Sequence, residues 1–126
     1  KEGMIVGVSS LAESRGFPKS GFYNASKAAA TLLLESLRVE LKPHNIKVLI
    51  VKPGFVKTPM TDKNEFQMPF LMDVDKAAGI ILKGIKKEKS IIQFPLSIVF
   101  GSKIIKYIPD WFFDFLMSKE LPARKN

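Results

Sequence analysis

Gly21-Phe22-Tyr23-Asn24-Ala25-Ser26-Lys27 opens a run that continues through Ala28-Ala29-Ala30-Thr31-Leu32-Leu33-Leu34 to Leu41. Alanine and leucine are strong helix formers, so a long helix is expected over about 23–41. Pro43 cannot continue it. On either side lie short, nearly continuous apolar runs, 3–8 (Gly-Met-Ile-Val-Gly-Val) and 46–51 (Ile-Lys-Val-Leu-Ile-Val). Runs of that length rich in β-branched residues suit strands buried on both faces, as in a parallel sheet. Strand, long helix, strand is a βαβ unit, so the fold class is α/β. A second helix is expected over about 74–87, through Ala77, Ala78, Ile81, Leu82 and Ile85, with Asp73 placed to cap it. A third strand is expected over 90–94, ended by Pro95.

In an open parallel sheet, ligands bind beyond the carboxyl ends of the strands. Ser10 and Pro53-Gly54 both fall just past such ends. Tyr23 and Lys27, four apart on a helix, lie on one face about a turn from each other. A free tyrosine, with a pKa of roughly 10, exchanges protons poorly at neutral pH. A nearby cation favours the phenolate, and this makes a tyrosine usable as a general acid or base. The same spacing also arises as a solvated, weakly interacting pair, so the pair alone does not decide the chemistry.

Composition narrows the alternatives. The 126 residues amount to one domain or part of one, 46% hydrophobic and 25% charged, as in globular chains. There is no cysteine and only one histidine, His44. Disulfide and thiolate chemistry are thereby absent, and a multi-histidine metal site has little to build on; the composition fits a reducing compartment. The net charge of +8 raises the question of nucleic acid. The lysines are scattered, however, apart from 83–89 and the tail Arg124-Lys125, and accompany no nucleic-acid motif. They read better as a solvated helix end, where cations suit the helix dipole. Gly16 and Gly21 have the spacing of a phosphate-binding loop, but Phe22-Tyr23 stands where Lys-Ser/Thr would be required.

Taken together, Ser9-Ser10, then Tyr23-x-x-x-Lys27, then Pro53-Gly54-Phe55-Val56-Lys57-Thr58 resemble the second half of the short-chain dehydrogenase/reductase family, over about residues 3–94. The order and spacing of three motifs are far more specific than any one alone. The resemblance implies part of a Rossmann-type, doubly wound parallel sheet and an oxidoreductase that moves hydride between a nicotinamide cofactor (NADP ahead of NAD) and an alcohol or carbonyl. It casts Tyr23 as the acid/base and Lys27 as the residue that binds the nicotinamide ribose and favours the phenolate. Ser10 is cast as the hydroxyl that holds the substrate oxygen, with Ser9 structural. Pro53 and Gly54 would form a turn along the nicotinamide, Phe55 and Val56 its lining, and Thr58 a contact to its carboxamide, or else a turn cap. No Gly-x-Gly occurs anywhere in the chain, so the dinucleotide fingerprint of the family is missing. The expectation is therefore a catalytic half-site belonging to a protein about twice as long. Without the other half, strand 3–8 would expose an apolar edge.

Residues 54–72 lack periodicity, as a functional lid or mobile stretch does, and the resemblance implies that 60–72 are the family's variable substrate loop, whose apolar residues suit a hydrophobic substrate. Residues 95–126 are expected to form a helical extension, rich in aromatic residues between Phe100 and Phe115. Three roles stay open for positions 96–117: packing on the chain's own core at the substrate mouth, contact with a second copy in a homo-oligomer, or an interfacial membrane helix beside Lys103 and Lys106. The longest uncharged span, 90–102, is too short to cross a bilayer. The expected partners are thus a small apolar alcohol or carbonyl and a second copy of the chain, with no nucleic acid. The expected location is the cytoplasm, with membrane association left open. A non-catalytic scaffold of the same fold is the competing reading.

Overall fold

β1 (Gly3–Val8), α1 (Gly21–Glu40), β2 (Ile46–Pro53), α2 (Val74–Lys86) and β3 (Ile91–Phe94) follow one another as two βαβ units. The computed structural model describes residues 2–57, 70–119 and 121. The three strands form one sheet in the order β1-β2-β3, parallel throughout. Thr58 and the body of the expected substrate loop lie outside the described residues.

The register explains the layering. Gly7 pairs with Ile50, and Val51 with Ile92; side chains alternate along a strand, so these two pairs occupy opposite faces. On the first face α1 approaches closely. A Cβ added at Gly7 would lie 2.3 Å from Cδ1 of Leu34, so glycine is what lets the helix settle there. On the second face, Leu49, Val51, Ile92 and Phe94 form the core with Met72 and Ala77, and Ile80, Ile81 and Ile85 of α2 pack against it. Helices on both faces of a parallel sheet make the doubly wound arrangement expected.

α1 starts at Gly21, two residues earlier than its composition suggests, which sets Tyr23 within its first turn. It ends near Leu41, and a short 3-10 turn at Lys42–His44 then carries Pro43. Asn45 takes the left-handed conformation there (φ 56°), which asparagine tolerates better than most residues. Asp73 does occupy the N-cap position of α2, but its side chain makes no capping hydrogen bond.

Burial of β1 on both faces is not what the structure shows. Val48 to Val51 of β2 are fully enclosed, whereas Met4, Ile5, Val6 and Val8 are 38% to 57% exposed. Among the described residues β1 is paired only with β2, so it is an apolar edge strand with no neighbour on its other side.

After β3 the chain forms α3 (Leu96–Tyr107) and α4 (Asp110–Ser118). Their inner residues Val99 and Phe113 are buried. Arg15 holds their junction: its guanidinium donates to the carbonyls of Ile105 (2.9 Å) and Ile108 (2.7 Å) and to Asp110 Oδ1 (2.6 Å), and it sits 4.3 Å from the Phe113 ring centroid. The extension therefore packs on its own chain, one of the three roles left open for it. Its outer residues Leu96, Phe100, Tyr107 and Trp111 remain exposed.

Candidate active site

The carboxyl ends of β1 and β2 lie side by side. The amide of Ser9 donates to the Val51 carbonyl (2.7 Å), which continues the ladder one step beyond β1. Ser10 consequently stands next to the segment leading to Pro53 and Gly54. The Ser9 hydroxyl is consumed by structure: it donates to the Lys27 carbonyl (2.8 Å) and accepts from Thr31 Oγ1 (2.7 Å). These two bonds tie the end of β1 to the turn of α1 that follows Tyr23. Such a buried hydroxyl relay suits the cost of leaving polar groups unpaired.

Ser10 is nearly buried and caps a 3-10 turn, Leu11–Ser14; its Oγ accepts from the Ala12 amide (3.1 Å). That bond uses one lone pair and leaves the O–H proton for another acceptor. Tyr23 is 45% exposed, and Lys27 Nζ lies 5.6 Å from the centroid of its ring. The phenol and the ammonium therefore share one face, as the four-residue spacing requires. Among the described residues Lys27 has no carboxylate partner. A cation with no counter-charge beside a reachable phenol is a suitable holder for ribose hydroxyls, so the residues present fit a nicotinamide nucleotide.

Gly54 donates its amide to the Phe94 carbonyl (2.8 Å). A Cβ there would meet Pro95 Cδ at 3.1 Å and Ile98 Cγ2 at 3.5 Å. Close packing under the start of α3 thus favours glycine at this turn, apart from any approach to a cofactor. Phe55 and Val56 run on into a main-chain pairing with Met72: Met72 donates to the Phe55 carbonyl and Lys57 donates to the Met72 carbonyl, both at 2.8 Å. This pairing ties the segment after Gly54 to the residue just before the Asp73 cap of α2.

Several residues at the site escaped the sequence reading. Asn24, beside Tyr23, is buried; its Nδ2 donates to the Ala12 carbonyl (2.8 Å), and its Oδ1 accepts from the Phe17 amide (2.9 Å) and the Ser20 hydroxyl (3.1 Å). It therefore folds the loop between Ser10 and Tyr23 back onto α1. Glu13 and Lys52 form an ion pair at 2.6 Å with both side chains largely enclosed. The spacing of Asn24 and Thr31, on the face that also carries Lys27 and Ala28, was a signal: polar residues at helical intervals amid alanines mark a face that meets polar main chain.

Residues 1–68 match the family model described as short chain dehydrogenase. An uncharacterized oxidoreductase of Myxococcus xanthus (strain DK1622) is 40% identical over 114 residues, which is 90% of this chain and 45% of that protein. A cyclopentanol dehydrogenase of Comamonas sp. (strain NCIMB 9872) is 44% identical over 81 residues, 64% of this chain and 30% of that one. Among solved structures, a short chain dehydrogenase from Burkholderia cenocepacia J2315 in complex with NADP superposes with a TM-score of 0.73 at 25% identity, over 97% of this chain and 48% of that one. The chain spans less than half the length of these relatives.

Proposed function

The chain belongs to the short-chain dehydrogenase family, and on that premise we propose that it supplies the catalytic and nicotinamide-side half of an NAD(P)-dependent oxidoreductase acting on an apolar alcohol or carbonyl compound. The observation that carries the reading is the Tyr23–Lys27 face, with Lys27 Nζ 5.6 Å from the tyrosine ring and the Ser9-Ser10 end of β1 bonded to the same turn of α1. The complex of the Burkholderia cenocepacia relative with NADP supports a nicotinamide cofactor.

When bound, a nicotinamide would supply the hydride for a carbonyl carbon, or accept one from an alcohol. In the reducing direction Tyr23 donates its phenolic proton to the carbonyl oxygen as negative charge develops there; in oxidation the phenolate takes the hydroxyl proton. Ser10 donates its free O–H to the same oxygen, and two donors aimed at a developing charge stabilise the transition state. Lys27 would hold the ribose hydroxyls and keeps its positive charge beside the phenol. Pro53 and Gly54 would wall the nicotinamide side and Phe55 and Val56 would line it; Thr58, outside the described residues, is assigned the carboxamide by the family resemblance alone. Lys27→Ala is expected to weaken cofactor binding and turnover together in the full-length protein, measured by NADPH fluorescence titration and steady-state assay. A variant that binds and turns over as the parent does would sink this role.

A second reading concerns location, and the exposed outer face of α3–α4 favours it. Leu96, Phe100, Tyr107, Trp111 and Phe115 are 55% to 81% exposed, with Lys103 and Lys106 beside them. Aromatic residues interleaved with lysine suit a bilayer interface. No helix among the described residues is long and apolar enough to cross a membrane, so the contact would be peripheral. Co-sedimentation with anionic liposomes is expected to fall when Trp111 and Phe115 become serine. Unchanged sedimentation with loss of a dimer in light scattering would instead assign the face to a homo-oligomer.

A further inference from the structure

Two routes join the Ser10 segment to the Pro53–Gly54 turn, and neither is part of the hydride chemistry. The short route is ionic. Glu13 lies in the 3-10 turn that Ser10 caps, and Lys52 directly precedes Pro53; Glu13 Oε1 and Lys52 Nζ are 2.6 Å apart, with side chains 17% and 14% exposed. The long route is helical. Arg15 holds the C-terminal end of α3 through the Ile105 and Ile108 carbonyls, while the start of α3 sits on Gly54 through Pro95 and Ile98.

An enclosed ion pair is a poor device for stability alone, because desolvating two charges offsets much of their attraction and an apolar pair of similar volume does as well. What the ion pair adds is direction and length. It fixes one atom on the serine side against one atom on the cofactor side, at the carboxyl ends of adjacent strands.

We propose that Glu13 and Lys52 are positioning residues whose ion pair sets the Ser10 hydroxyl against the Pro53–Gly54 wall of the site. This rests on the reading of Ser10, Tyr23 and Lys27 as the catalytic set. Loss of either charge lets the 3-10 turn shift, and the donor from Ser10 no longer converges with that from Tyr23. The chemical step then slows while the binding surfaces stay in place.

The test is a double-mutant cycle in the full-length protein with Glu13→Gln, Lys52→Met and both together. Each single variant is expected to lower kcat about tenfold per folded molecule, with KM and the NADPH Kd within about twofold, and the double variant is expected to be no worse than either single. The charge-reversed Glu13→Lys/Lys52→Glu protein should regain most of the rate. Singles that keep kcat within about twofold, or losses that simply multiply in the double variant, overturn the proposal. So does a loss confined to NADPH affinity in Lys52→Met alone, which would make Lys52 a direct cofactor contact. Tyr23→Phe is the control for the catalytic reading itself. If that control keeps its turnover, hydrogen exchange at the Ala12 amide, which Ser10 Oγ holds, still decides the question. Exchange about tenfold faster in Lys52→Met supports the brace, and unchanged exchange overturns it.

Discussion

Asn24 shows how much a single side chain can organise. It sits next to the proposed acid/base, yet its polar atoms are turned inward to Ala12, Phe17 and Ser20. Replacing it with alanine removes three hydrogen bonds and leaves part-buried main-chain groups without partners, at a cost of about 1–3 kcal/mol. Asn24→Ala is therefore expected to lower the urea midpoint clearly, and to lose turnover through the loop rather than through proton transfer. A midpoint equal to the parent's would mean that the loop is held by other contacts. Tyr23 and Lys27 were legible from spacing, because one helical turn dictates their shared face whatever the surroundings. Asn24 left a trace in its helical spacing with Thr31, but Glu13, Lys52 and Arg15 left none, because their partners lie far along the chain. Arg15 and Asp110, for example, are ninety-five positions apart.

At the scale of elements, alternation of apolar runs and helix formers located β1, α1, β2, α2 and β3 to within two residues at nearly every end. The order followed from the sequence, and so did the parallel pairing, since each pair of strands is separated by a helix. Burial of β1 did not follow from the strand itself, since an apolar strand is the same string of residues whether or not a neighbour covers it; its open edge was expected only from the missing glycine motif. The contact between α1 and the sheet depends on Gly7, which sequence alone presents as one more small residue in a strand. Gly7→Val forces Leu34 aside and should destabilise the fold by about 1–3 kcal/mol, read as a lower urea midpoint. If the midpoint does not move, α1 rests less closely on β1 than the packing at Leu34 indicates. The aromatic stretch after Pro95 was legible as helical but not as a brace, because its anchor is the guanidinium of Arg15 on the far side of the site.

For the molecule as a whole, the chain brings together the proposed half of a cofactor site at the carboxyl end of a parallel sheet. The serine segment, the tyrosine–lysine helix and the Pro53–Gly54 turn meet there, cross-braced by Glu13–Lys52 and by α3. The family's dinucleotide fingerprint occurs nowhere in these 126 residues, and the chain covers 45% of the length of its Myxococcus relative. On the proposed half-site reading, turnover is a property to measure in the full-length protein. The most direct test of the account compares Tyr23→Phe with the parent there, following NADPH oxidation over a panel of apolar ketones and titrating NADPH into both. Loss of turnover by about a thousandfold, with cofactor affinity nearly unchanged, is the predicted result, since the variant lacks only the transferable proton. Turnover close to the parent's would contradict the assignment of Tyr23 as the acid/base, and with it the catalytic reading of this face.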